Sequence, residues 1–370
     1  MSELNKSLLE AASMLNLEAI QKLLASGADA THIDDPDGVW GSKSKKGPLH
    51  LALRARPFKS DEAASSYQQQ LNHWKAVVRT LIDAKADVNV QSEEYDWRGC
   101  GHTCSAFDLV IPYAIQDTHF LELFLNAGAD PNTRSIHDVH SMRTDGRSDV
   151  PTLHTAVDGG NLLAVKALLD RGADADAWSL EQFFNERGFN RHTEETALHR
   201  ACSSSSSGSA CMEMCATLLA HGASVNAVRK KLELENSGMQ SQTSDPRSAN
   251  FVSSVICVPI EETALHIALL ERKTELVTML VCAGADPSLR RKRGQSTTSC
   301  EDLCQGRDDL LQALGAQWTP ETHKHFPANV RASVKMAFMI AQRQNWPKTM
   351  LFKVCAMFAG PAKPDLAVLA

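Results

Sequence analysis

The sequence predicts an all-α repeat solenoid, and three observations carry the prediction. A phrase ending in glycine recurs along the chain, a second phrase alternates with it, and the spacing between the two has a constant minimum. The first phrase is a leucine-like pair, two residues, then Gly-Ala-Asp. It reads LLASGADA around Gly27, LIDAKADVN around Lys85, FLNAGADPN around Gly128 and LLDRGADAD around Gly172. It returns as LLAHGASVN around Gly222 and LVCAGADPS around Gly284, and a worn copy, LLQALGAQW, closes near Ala316. The second phrase reads GPLHLAL from Gly47, SAFDLVI from Ser105, PTLHTAV from Pro151, TALHRAC from Thr196 and TALHIAL from Thr263. TSCEDLC from Thr298 is its degenerate sixth copy.

The second phrase opens a helix. Thr or Ser before the first turn can cap its free N–H groups. Pro48 suits the first turn, where a missing N–H costs nothing. Leu49, Leu153, Leu198 and Leu265 are expected to point into the core. His50, His154, His199 and His266 follow one residue later, one per repeat, and are expected to be neutral, structural hydrogen-bonding groups. Asp108 stands where the second copy should carry His, so that repeat is expected to be looser. The first phrase closes a second helix. Gly27, Gly128, Gly172, Gly222 and Gly284 suit the left-handed residue that ends it. Lys85 departs from that rule at a cost of about 1 kcal/mol.

These alternating phrases resemble the ankyrin repeat, with its T-P-L-H-x-A motif and glycine-terminated second helix, over roughly residues 4–317. The resemblance implies about seven helix-turn-helix units with hairpin finger loops in an array over 1–317. It also implies protein–protein binding, without catalysis, through the fingers and the concave helix face.

From Pro151 to Asp174 and from Thr263 to Asp286 the separation is 23 residues. A 33-residue unit then leaves about ten for the loop half. Loop halves exceed that by 70 residues in total and helical halves exceed theirs by 24, so about three-quarters of the inserted residues lie in the fingers. Insertions mapping to one face often mark a binding face. Trp40, Tyr95, Trp97, Trp178 and Phe183 lie in these insertions and are the candidate partner-binding residues, with Phe184 and Phe189 beside them. Exposed aromatics anchor interfaces; the alternative is that each finger buries its aromatic against the next. The Ser- and Gln-rich stretch within Val225–Glu262 is expected to be mobile. The run from Asp61 is expected to form a lengthened helix beginning near Ser60, and Ser203–Ser207 a flexible linker.

Composition narrows the function. The chain has 370 residues, net charge −6 and 43% hydrophobic residues. No stretch approaches the roughly 18 uncharged apolar residues of a membrane span, and the first residues lack the apolar core of a secretory signal. The slight acidity argues against nucleic acid. Ten Cys suggest reduced thiols of the cytoplasm or nucleus. Arg290–Arg293 reads either as a nuclear import signal, an acidic-partner contact or solvated loop charge. Cys100-Gly101-His102-Thr103-Cys104 has no matching second ligand pair for zinc. No phosphate loop or catalytic motif stands out, so no enzyme, cofactor or metal is expected.

Residues 318–370 break the pattern. Val330, Val334, Ala337, Phe338 and Ala341 recur at helical spacing, Trp346-Pro347 breaks the run, and Met350, Leu351, Val354 and Phe358 define a second amphipathic stretch. This segment weakly resembles an F-box or SOCS box. That resemblance implies docking on a cullin-type ubiquitin-ligase core, with Trp346, Pro347, Leu351 and Val354 as the docking candidates. The alternative is a cap that closes the solenoid, leaving the chain a plain scaffold or inhibitor.

Overall fold

The computed structural model describes residues 3–34, 43–57, 64–96, 100–111, 118–140, 144–185, 191–203, 208–236, 255–315, 328–343, 351 and 354–355. They fall into two compact units. The first spans 1–174 with 179–188, and the second spans 175–178 with 189–370.

In the first unit the chain runs through α1 (Glu3–Ser13), α2 (Leu17–Ala25), β1 (Lys43–Lys45), α3 (Pro48–Arg54) and α4 (Ala64–Asp83). It continues through β2 (Gln91–Tyr95), β3 (Gly101–Ser105), α5 (Ala106–Val110), α6 (Thr118–Asn126), β4 (Arg134–His140) and β5 (Thr144–Pro151). Then come α7 (Thr152–Asp158), α8 (Leu162–Asp170) and β6 (Trp178–Asn185). The second unit holds β7 (Arg191–Thr196), α9 (Ala197–Ser203), α10 (Gly208–Ala220), β8 (Val228–Asn236) and β9 (Val255–Thr263). It ends with α11 (Ala264–Leu270), α12 (Thr274–Cys282), β10 (Arg291–Arg293), β11 (Ser296–Thr298), α13 (Cys300–Cys304), α14 (Asp308–Leu314) and α15 (Ala328–Arg343).

The eleven strands among the described residues correct the all-α expectation. The fingers are not merely turns. Strands β1 to β6 pair antiparallel in chain order, and so do β7 to β11. A finger without insertions has few residues to put into a ladder. Here the insertions lengthen the strands until neighbouring fingers reach one another. The β8–β9 pair is the extreme case, in register from Val228↔Thr263 to Asn236↔Val255. That ordered hairpin also occupies the flanks of the 225–262 stretch expected to be mobile; 237–254 lie outside the described residues.

The helices pack as their sequence pattern requires. Leu49, Leu153, Leu198 and Leu265 are all buried, and burying each such side chain contributes roughly 1.5–3 kcal/mol. The lengthened helix expected near Ser60 is the 20-residue α4, which starts at Ala64. It inserts Trp74, whose ring is buried and whose Nε1 donates to Ala52 O at 2.8 Å. Ser204–Ser207 of the expected linker lie outside the described residues.

The five motif glycines have φ between +88° and +98°, the left-handed region that side chains disfavour. Lys85 adopts φ +66° and still makes the same closing bonds, Lys85 N to Ile82 O and Ala86 N to Leu81 O. At the end of the chain α15 covers the last repeats. Val334 and Ala337 pack with Cys282 of α12, Leu351 and Cys355, and Val330, Phe338 and Val354 flank them.

Candidate interaction surface

Each finger is rooted where it enters the first helix of a repeat. At two roots the histidine at the third helical position completes the cap. His199 Nδ1 accepts from Thr196 N at 3.2 Å, and His266 Nδ1 accepts from Thr263 N at 3.0 Å. The opposite nitrogens face carbonyls, His199 Nε2 to Ala227 O at 3.0 Å and His266 Nε2 to Leu289 O at 3.1 Å. A nitrogen facing a carbonyl must carry the proton, and one facing an N–H must not. Both rings are therefore neutral. Burial and the Arg229 charge hold His199 at about 4; burial and Arg54 do the same for His50, also at about 4. At the third repeat the residue before the helix is Pro151, which has no N–H to give the buried His154.

Asp108 corrects the expectation of a looser repeat. Its carboxylate accepts from Ser105 N and Ser105 Oγ at 2.9 Å each, and Asp108 N returns a bond to Ser105 Oγ at 3.1 Å. It also accepts from Thr133 Oγ1 at 2.9 Å and from Thr152 Oγ1, which opens the next helix. The aspartate does the histidine's capping task and ties two repeats together. Ser299 and Asp302 form the same box at α13.

The root of the second unit is ionic. Glu195, Arg229, Glu262 and Arg291 occupy one register position across β7, β8, β9 and β10. Glu195 Oε2 lies 3.1 Å from Arg229, Arg229 lies 2.5 Å from Glu262, and Arg291 Nε lies 2.8 Å from Glu262 Oε2. Arg200 closes on Glu195 at 2.8 Å. Burial opposes the Glu262 charge, but Arg229, Arg291 and Lys231 outweigh it and hold the carboxyl at about 2. One position along, on the opposite face, Glu194, Lys230, Glu261 and Lys292 repeat the alternation at the surface. The basic run Arg290–Arg293 is thus largely consumed within the sheet: Arg291, Lys292 and Arg293 pair with Glu262, Glu261 and Glu233.

The candidate aromatics separate. Tyr95 is half-buried and lies across its register partner Gly101, where an added Cβ would come within 2.5 Å of Tyr95 Cδ1. Its hydroxyl bonds Thr103 Oγ1 at 2.9 Å and donates to Asp138 at 3.2 Å. Phe183 covers its partner Gly146 in the same way. These two rings fill the gap left by a missing side chain and stiffen the sheet. Trp178 is 41% exposed, tilted against His199, and Phe184 is 44% exposed. Trp40 and Trp97 lie outside the described residues, as do Trp346 and Pro347. Leu351 is buried and Val354 packs beside it in the cluster under α15, so both side chains are engaged with the array.

Three features were not read from the sequence. Asparagines in three of the turns after second helices clamp the next repeat. Asn89, Asn132 and Asn226 each donate Nδ2 to the next motif glycine carbonyl, at 2.8–3.2 Å, and accept from Asp130 N, Asp174 N and Asp286 N. An Asn four residues after the motif position, at Asn89, Asn132 and Asn226, was the available signal. His102 and His137 stack at 4.5 Å across β3 and β4. Cys100 bonds the His140 backbone through Sγ, while Cys104 is buried, its thiol pushed up to about 12 by burial. Among the described residues no three His, Cys, Asp or Glu side chains converge as a metal site.

The family described as ankyrin repeat matches residues 193–230 and 261–292. These two segments are similar to ankyrin repeats. Both matches fall in the second unit and include the Thr196–His199 and Thr263–His266 caps. The chain is also similar to the ankyrin repeat domain of Bcl-3, which that crystal structure's description calls a unique member of the IkappaB protein family. Identity is 22%, the match covers 84% of this chain and 98% of that one, and the TM-score is 0.45. No curated protein matches the sequence. Among the described residues no helix is long and apolar enough to cross a membrane.

Proposed function

We propose that this ankyrin-repeat chain is a non-catalytic binding subunit that holds a protein partner on its finger sheets and concave helix faces. The observation that carries this reading is where the inserted residues go. In each unit they build antiparallel sheet; the second unit's is locked at its root by the Glu195–Arg229–Glu262–Arg291 ladder and exposes Trp178, and the first unit's exposes Phe184. A surface rigid before contact loses less entropy on binding. The test is a photo-crosslinking residue placed at Phe184 and, as a control, at exposed Leu163 on α8. One discrete adduct from position 184 and none from 163 is expected in cell extract. Equal or absent adducts would remove the fingers from the reading.

The finer reading is that the partner is handed to a cullin-type ubiquitin ligase through 318–370. It is favoured by α15, which caps the array with one face and exposes Met336, Met339 and Ile340 on the other. Recovery of a cullin with the full chain, lost on substituting Met336 and Met339, is the expected result. Ten free thiols support a reducing compartment, the cytoplasm, for this work.

A further inference from the structure

The outer face of α15 is apolar and basic at once. Met336 is 63% exposed, Met339 54% and Ile340 41%. They stand at i, i+3 and i+4, a single stripe along one side of a helix. Arg331 and Lys335, both exposed, are the only charged residues of α15 whose side chains are described. The sequence around them is lopsided in the same sense. From Thr322 to Pro364 it holds seven of the chain's 38 Lys and Arg and none of its 44 Asp and Glu.

The inner face is already committed. Val330, Val334, Ala337 and Phe338 lie on the Cys282 cluster, so the helix is anchored and cannot roll. Only a narrow stripe is left for an occupant. A lipid-surface helix needs a wide apolar face rich in Trp, Phe and Leu. A narrow stripe with flanking charge is instead the geometry of a helix–helix seam, in which neighbouring charges choose the partner. Methionine suits such a seam because its flexible thioether adapts to the opposing surface.

We propose that the outer face of α15 docks an amphipathic helix of a partner protein whose apolar stripe is flanked by Asp and Glu. This deepens the reading of the C-terminal element as a docking element as well as a cap, and it is independent of the fingers.

The experiment titrates the full-length chain with a synthetic amphipathic helix carrying Leu at a and d and Glu at e and g. Saturable one-to-one binding is expected, weaker by about tenfold or more for the same helix with Lys at e and g. Met336→Gln with Met339→Gln should weaken it by about tenfold or more while leaving the thermal midpoint unchanged, since both side chains are exposed. Arg331→Glu with Lys335→Glu should reverse the preference between the two helices. No binding, equal binding of both helices, or binding indifferent to these variants would overturn the proposal. Two further outcomes would also overturn it: co-sedimentation with phosphatidylserine vesicles in place of peptide binding, or self-association, each lost in the methionine variant. The crosslink from position 184 is read separately, so failure here leaves the finger reading standing.

Discussion

The finger roots of the two units meet the same demand with different chemistry. Each must bury polar groups where strands turn into a helix. In the first unit a single carboxylate, Asp108, is surrounded by the hydroxyls of Ser105, Thr133 and Thr152. In the second, Glu195, Arg200, Arg229, Glu262 and Arg291 alternate in sign, with Glu262 almost wholly buried. Hydroxyls are cheap to desolvate and bond in several directions. Charges are costly to desolvate and hold only if every neighbour is present. The ionic root should therefore be the more rigid and the more fragile.

The largest effect should come from removing one member of that ladder. Arg229→Met removes the cation between Glu195 and Glu262, leaving both carboxylates short of a partner, and should cost about 3–5 kcal/mol, read as a lowered urea midpoint. A loss below about 1 kcal/mol would place the ladder among ordinary surface pairs.

Acid should act next. The folded state holds His50 and His199 at about 4, against about 6.5 in an unfolded chain. Between those values only the unfolded chain takes up the proton. Stability is full above about pH 6.5, declines as pH falls toward 4, and loses nothing more from these groups below that. Each should contribute on the order of 3 kcal/mol. Urea midpoints at pH 7, 5.5 and 4 would measure the decline, and His199→Gln should flatten it. A profile flat across this range would sink the neutral-cap account.

The smallest effect belongs to the hydroxyl root. Asp108→Ala removes the cap and leaves two threonine hydroxyls to find other partners, for about 1–3 kcal/mol. If it costs more than Arg229→Met, the comparison is inverted.

Legibility followed sequence distance. The caps at Thr196 and Thr263 join residues three apart, and the closing turns at Gly27 to Gly284 depend on one residue's backbone. Both lie within reach of a local reading, although the histidine's part in the cap was not foreseen. Asp108 was misread because two of its partners, Thr133 and Thr152, lie 25 and 44 residues away. The run Arg290–Arg293 looked like free charge because Glu261 and Glu262, which take up Lys292 and Arg291, come about thirty residues earlier. Tyr95 and Phe183 looked like anchors for a partner. Only the register shows that each lies across a glycine of the neighbouring strand.

The sequence by itself determined the repeat and the placement of its insertions, since helices form from contacts within a few residues. Whether those insertions would be loops or sheet was decided by tertiary structure alone. A strand exists only when a second strand completes its hydrogen bonds, and here the second strand often belongs to another finger. The same non-local pairing turned a basic run into half of a charge ladder, and it is why a chain that reads as purely helical carries eleven strands among its described residues.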